Sequence, residues 1–159
     1  MMFIIIYIME NTQKNSLKVS VFADGENCNI LKYSQDIIHF IITQFATNPI
    51  LLAYHYWSEI DSSKQEKMQE EGWLCIDIGK QCKNCLDNLL IKNCLKFCKD
   101  QMPEIDVIIL ITCDHDYAPL IKDLQQLDKQ VIVIGRQNNI NKKLEELATC
   151  YYLEELNSR

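Results

Sequence analysis

Glycine and proline are scarce in this chain, 4 and 3 in 159 residues. Long flexible linkers and Gly- or Pro-rich low-complexity tracts are thereby excluded. Positive charge is also in deficit: 16 Lys and Arg stand against 22 Asp and Glu, a net charge of −6. A protein that coats nucleic acid through bulk positive charge is not expected from that balance. An enzyme that grips a short stretch with a local basic patch stays open, since metal-holding carboxylates would themselves add to the negative total. No run is apolar enough to span a bilayer, which takes about 20 residues. The apolar opening, Met1 to Ile8, is too short. It has neither a basic segment before it nor a small-residue cleavage site after it. An extra strand, a partner-contact segment and an artefact of start-codon choice are open for it. The polar stretch Glu10 to Asn15 sets residues 1–16 apart from an expected domain at 17–159.

What is present describes an ordinary globular domain. Hydrophobic residues make up 48% and charged residues 24%, enough for one substantial core. The 8 Cys fall mostly within apolar helix and strand patterns, where a free thiol behaves as a small hydrophobe. They are expected to be reduced, in a cytoplasmic protein with no membrane association.

Strand and helix patterns alternate from Leu17 onward. Val19 to Ala23 reads as a buried strand ending in Asp24-Gly25. Asn27 to Thr47 carries Ile30, Ile37, Ile38, Ile41, Ile42 and Phe45 at helical spacing. Ile50 to Trp57 and Trp73 to Ile78 read as strands, with a helix capped by Ser62 or Ser63 and stopped at Gly72 between them. Asn84 to Lys99 reads as a helix. Ile105 to Thr112 contains VIILI, the strongest strand signal, whose continuous apolar character fits burial on both faces. A helix over Tyr117 to Leu127, a strand over Gln130 to Gly135, a helix marked by Ile140, Leu144 and Leu147, and a short strand over Cys150 to Leu153 follow. The alternation predicts a three-layer α/β/α, Rossmannoid domain around a mostly parallel sheet of about five or six strands. Ligands bind such sheets beyond the carboxyl ends of the strands.

Four acids fall at that end. Asp24 follows the first strand, Asp114 and Asp116 follow VIILI, and Asp87 opens the helix after the third strand. Asn27 lies in the turn beside Asp24. Gathered carboxylates repel one another unless a cation offsets them, and hard Mg²⁺ or Mn²⁺ prefers oxygen ligands. Such a site suits phosphodiester hydrolysis. Each acid also has a structural reading: Asp24-Gly25 as a turn pair, Asp116 as a helix cap with Pro119 in the first turn, Asp87 as a complement to the helix dipole.

Three segments carry a family resemblance. VFADGENCNI, Val21 to Ile30, resembles the opening strand and turn of NYN domains, in the PIN-like nuclease superfamily. IILITCDHDYAPLIKDLQQLDKQVIVIG, Ile108 to Gly135, resembles that family's S-G-D-x-D-[FY]-x-P-[LI] signature. KNCLDNLLIKNC, Lys83 to Cys94, is similar to its K-x-x-D-x-x-[LI] helix start, and the tail from Ala148 to Leu156 to its closing strand. The resemblance implies a metal-dependent ribonuclease, with Asp24, Asp87, Asp114 and Asp116 as catalytic and metal-binding acids. It implies Mg²⁺ or Mn²⁺ as cofactor, RNA as substrate, and Asn27 and Thr112 beside the acids, Thr112 matching a residue that orients the site. Two positions depart from the pattern. Cys113 stands where Gly is usual, and Asp128 stands where Gly usually ends the helix, though Asp tolerates the left-handed conformation.

Lysines near Asp87 have two readings. Lys83, Lys92 and Lys96, with Lys80 and Lys99, either form a phosphate track toward the acids or a solvated helix face; Arg136, Lys142 and Lys143 are weaker candidates. His115, between two acids, either contacts substrate or points to solvent. Tyr54, Tyr56 and Trp57 either stack on bases or pack. Cys82-x-x-Cys85 with Cys94 and Cys98 invites a zinc site. However, Cys85 and Cys94 on one helix would lie about 13 Å apart along its axis, and zinc needs its sulfurs within about 4 Å of one another. A non-catalytic RNA-binding or regulatory module is the alternative function. A homo-oligomer is open. A phosphohydrolase of the haloacid-dehalogenase kind needs a second Asp where Glu26 stands. A receiver domain lacks its Lys, Gly135-Arg136 standing there instead.

Overall fold

The computed structural model describes residues 17–45 and 48–158. The apolar opening and Thr47 lie outside them. Six strands form one sheet among the described residues: β1 (Val19–Asp24), β2 (Ile50–His55), β3 (Trp73–Asp77), β4 (Val107–Ile111), β5 (Gln130–Gly135) and β6 (Thr149–Tyr152). The order is β3-β2-β1-β4-β5-β6 and every pairing is parallel. The chain builds one half of the sheet outward from β1, then crosses back and builds the other half outward from β4. The strand order therefore reverses between β1 and β4, and a crevice opens beyond their carboxyl ends.

Side-chain parity on the two central strands sorts the core. Val19, Val21 and Ala23 with Val107, Ile109 and Ile111 face one layer, which contains α1 (Ile30–Gln44) and Met68 of α2 (Ser62–Glu70). Phe22 with Ile108 and Leu110 face the other, which contains α3 (Cys85–Lys96), α4 (Ala118–Gln126) and α5 (Lys142–Leu147). Both central strands are buried along their whole length. That double burial is why they read as continuous apolar runs rather than alternating ones. No described helix is long and apolar enough to cross a membrane.

Several boundaries differ from the sequence expectation, each for a local reason. The first helix starts at Ile30 rather than Asn27, because Asn29 caps it by accepting from Lys32 N at 3.2 Å. Asp61, not Ser62 or Ser63, caps α2, accepting from Ser63 N at 2.9 Å. The third helix leaves regular geometry at Phe97 and continues as a wider turn, Phe97–Gln101. Asp128 holds φ of 59° at the end of α4, the left-handed conformation expected where Gly is usual.

Candidate active site

Strand parity sends the side chain of Asp24, the last residue of β1, into the layer of α3 and α4. Asp24 is fully buried, and its carboxylate is held from four directions. Oδ1 accepts from the backbone N–H groups of Glu26 and Asn27, both at 3.1 Å. Oδ2 accepts from Asn27 Nδ2 at 2.6 Å and lies 3.3 Å from the Tyr117 hydroxyl. Burial raises its pKa to about 6, although the hydrogen bonds from Asn27 oppose that rise.

The Tyr117 hydroxyl also lies 2.9 Å from Asp87 Oδ1. Its single proton serves one carboxylate at a time. Tyr117 thus links the end of β1 to the first turn of α3. Asp87, half-buried, is raised above the usual carboxylate range by desolvation, with the Tyr117 hydrogen bond opposing and the charges of Asp114 and Asp116 adding. The hydroxyl itself is pushed up by burial and by the two carboxylates around it.

After β4 the chain turns sharply. Thr112 N donates to Ile134 O at 3.0 Å, which extends the β4–β5 pairing by one residue. Thr112 Oγ1 then accepts from Asp114 N at 3.2 Å. Asp114 caps a short 3-10 turn, His115–Tyr117, accepting from Asp116 N at 3.0 Å. Asp116 does not cap α4 as expected: Tyr117 stands at that N-cap without a side-chain cap bond, and Pro119 sits in the first turn of the helix. His115, 53% exposed, places Nδ1 3.3 Å from Asp114 Oδ1 and Nε2 3.3 Å from Asp116 Oδ1. Ligand atoms of Asp114, His115 and Asp116 lie within 4.8 Å of one another.

Two clefts meet at Asp87. One, of about 460 Å³, is lined by Glu26, Asn27, Lys83, Asn84, Asp87 and Asp114 among others. The other, of about 580 Å³, is lined by Asp87, His115, Asp116, Lys122 and Lys143 among others. The structure therefore brings Asp24, Asn27, Lys83, Asp87, Thr112, Asp114 and Asp116 to one end of the sheet. Lys92 is exposed on α3 and lines neither cleft. Lys96 lines a separate groove with Phe22, Tyr54, Asn93 and Phe97. Tyr54, Tyr56 and Trp57 are buried, so packing accounts for them and base stacking does not. Glu26, Lys122 and the Tyr117 hydroxyl were not among the expected site residues. Tyr117 stands in the D-x-D-[FY] motif, but the pattern accepts Phe there and so gives the oxygen no special weight.

The cysteines correct one expectation. Cys82 and Cys85 are joined as a disulfide rather than free. Their Cα atoms lie 5.5 Å apart, within disulfide range, and Asn84 between them is in the left-handed conformation at φ 58°. The remaining described cysteines are free. The regular helix from Cys85 to Lys96 keeps Cys94 well along its axis from Cys85. Cys28 and Cys113 meet with sulfurs 3.8 Å apart, and Cys113 Sγ accepts from Arg136 N at 3.2 Å.

The sequence pattern of the NYN domain family matches residues 18–155. No curated protein matches the chain. Among solved structures, a protein of unknown function from Vibrio parahaemolyticus is similar in fold, with a TM-score of 0.68 at 15% identity over 88% of this chain and 94% of that one.

Proposed function

The chain belongs to the NYN domain family, and from that premise we propose that it is a metal-dependent endoribonuclease. The observation that carries this reading is the arrangement of Asp87, Asp114 and Asp116 around two adjoining clefts, above the buried carboxylate of Asp24. An acid cluster facing a polyanion repels it. A cation between the two sets of charges would offset that repulsion.

The donor set fits such an ion. It is dominated by carboxylate oxygens, as Mg²⁺ or Mn²⁺ prefers, and the Asp114 and Asp116 oxygens approach closely enough to share one. Asp24, Asp114 and Asp116 would hold it, with Asp87 completing the site. When bound, the ion supplies an activated water nucleophile and neutralises charge developing on the phosphoryl group.

The rest is the work of this chain's own residues. Asn27 clamps Asp24 through its amide. Tyr117 spans Asp24 and Asp87. Thr112 fixes the turn that presents Asp114. Lys83 lines one cleft, and Lys122 with Lys143 the other; these lysines would hold backbone phosphates of the RNA. Products would carry 5′ phosphates and 3′ hydroxyls, and the protein would act in the cytoplasm.

The test is cleavage of a mixed-sequence single-stranded RNA in Mn²⁺, Mg²⁺ or EDTA, comparing wild type with Asp114→Asn. Metal-dependent cleavage lost in the variant is the expected result. Equal cleavage by both would sink the reading. RNA binding without turnover by the folded wild type would support a binding module instead.

A further inference from the structure

Cys28 and Cys113 belong to segments 85 residues apart in sequence, yet their sulfurs are in van der Waals contact at 3.8 Å. Each sits on one of the turns that carry the acids. Cys28 N donates to Asp24 O at 3.2 Å, and Cys113 immediately precedes Asp114. Both pack in the α1 layer, the face of the sheet opposite to Asp24 and Tyr117. The proposed chemistry of the acids makes no use of either sulfur.

We propose that Cys28 and Cys113 are a site of reversible two-electron oxidation, forming a disulfide that ties the β1 turn to the β4 turn beneath the acids. Two thiols in contact are one small adjustment from a bond. A disulfide holds its sulfurs at about 2.05 Å, so closure draws them together by roughly 1.8 Å. Neither residue lies inside a helix or strand, so side-chain rotation and turn movement can supply that distance without breaking a ladder. The accessibility is graded in the useful order. Cys113 is partly exposed, whereas Cys28 is buried, which makes Cys113 the sulfur that meets an oxidant and Cys28 the one that resolves it.

With a hydroperoxide such as hydrogen peroxide as oxidant, the Cys113 sulfur attacks a peroxide oxygen. The S–O bond forms as the O–O bond breaks, giving a sulfenic acid and one water. The Cys28 sulfur then attacks the Cys113 sulfur. The S–S bond forms, the S–O bond breaks, and the leaving hydroxide departs as water with the thiol proton. Two thiols and one peroxide thus yield one disulfide and two waters. A dithiol reductant reverses the change.

The consequence for the acids follows from what holds Cys113. Its sulfur accepts from Arg136 N and its carbonyl from Asn141 N, at 3.2 Å each. Pulling the sulfur toward Cys28 loads both contacts and shifts Asp114, the next residue, relative to Asp24. A displacement of about 1 Å in a catalytic group costs on the order of 100-fold in rate. That consequence rests on the nuclease reading; the disulfide does not.

The experiment treats the full chain with stoichiometric hydrogen peroxide, blocks remaining thiols by alkylation, and maps linked peptides by mass spectrometry without reduction. A peptide joining Cys28 to Cys113, lost on dithiothreitol treatment, is expected. Linkage of Cys82 to Cys85 alone, or oxidation of Cys113 to a sulfinic acid without linkage, would overturn the proposal, and neither result needs a variant that folds. Cys28→Ala adds the functional arm. Oxidation should lower wild-type RNA cleavage at least 10-fold and reversibly, and the variant's by less than 2-fold. A linked but fully active wild type would overturn control of the site. A reduced wild type that never cleaves RNA would count against the nuclease reading and leave the mapped disulfide to stand on its own.

Discussion

The Tyr117 hydroxyl donates to Asp87 Oδ1 at 2.9 Å, so an acid on α3 is held by a residue from the turn after β4. The same oxygen lies 3.3 Å from Asp24 Oδ2, and Tyr117 is otherwise buried in the α3–α4 layer. Phe in its place would fill nearly the same volume and lose only the hydrogen bond. A hydrogen bond to a charged group contributes about 1.5–3 kcal/mol. Tyr117→Phe should therefore fold, unfold at a somewhat lower temperature at pH 7, and cleave RNA roughly 10- to 100-fold more slowly, as that energy converts. Circular dichroism melting and single-turnover cleavage measure the two effects. A variant as fast as wild type would mean that Asp87 needs no tether.

Burial makes Asp24 a source of instability in the metal-free protein. Its pKa rises from 3.8 to about 6 on folding. Below both values the carboxyl is protonated in the folded and unfolded states, and it contributes no pH dependence. Between about pH 4 and pH 6 the unfolded chain ionises while the folded one keeps its proton, so stability falls as pH rises. Above about 6 the loss is complete, on the order of 3 kcal/mol for a shift of this size. Asp24→Asn removes the titration. In EDTA the variant should match wild type near pH 4 and exceed it above pH 6, while showing no cleavage. Denaturant melts across pH 4–8 check this, and a gap that does not vary with pH would refute it. Adding Mn²⁺ should raise the melting temperature of wild type more than that of the variant.

Much of the fold was legible because periodicity reports burial directly. VIILI at β4 is apolar without alternation, and VSVFA at β1 is interrupted only by the buried Ser20, as fits strands buried on both faces. Strand ends then placed Asp24 and Asp114 at one edge of the sheet, on the condition that β1 and β4 are neighbours. The pairing of Val19 through Ala23 with Val107 through Ile111 supplies that condition, and no local pattern could have. The Tyr117 bridge was illegible for the same reason, since it joins residues 93 apart to Asp24 and 30 apart to Asp87. The Cys82–Cys85 link is not dictated by its Cys-x-x-Cys spacing, which suits free thiols or a metal site as well. Lys92 and Lys96 stand four residues apart on one helix. That spacing fixes them relative to each other, not relative to the clefts beyond the end of the helix.

Gly25 is required by crowding. A Cβ there would lie 2.7 Å from His55 Cδ2 and 2.8 Å from Tyr54 O. The imidazole can move, but the backbone carbonyl cannot, because it accepts Gly25 N at 2.8 Å in the first bond beyond β1. Gly25→Ala should force that turn away from β2 and cost about 1–3 kcal/mol, as overpacking does. Asp24 and Asn27 flank the turn, so cleavage should fall as well. Chemical denaturation should show a lower midpoint with an unchanged slope. A wild-type midpoint would mean that the β1 turn yields more easily than its hydrogen bond implies.

Lysines at the clefts and lysines along α3 make different predictions about RNA. Lys122 and Lys143 line the same cleft as Asp116, whereas Lys92 lies outside both clefts and Lys96 faces a separate groove. A lysine that neutralises a phosphate releases a counterion. Its loss therefore weakens binding most at low salt and reduces the slope of log affinity against log salt by about 1. Lys122→Ala and Lys143→Ala should each do so, and the double variant should lose about 2. Lys92→Ala should leave the slope unchanged. Binding is measured in Ca²⁺, chosen so that the cation neutralises the acids while turnover is slow, with a short fluorescent RNA at several salt concentrations. The reverse outcome, with Lys92 changing the slope and Lys122 not, would put the RNA along the outer face of α3. The strand would then approach the acids from the β3 side of the sheet rather than across α4 and α5.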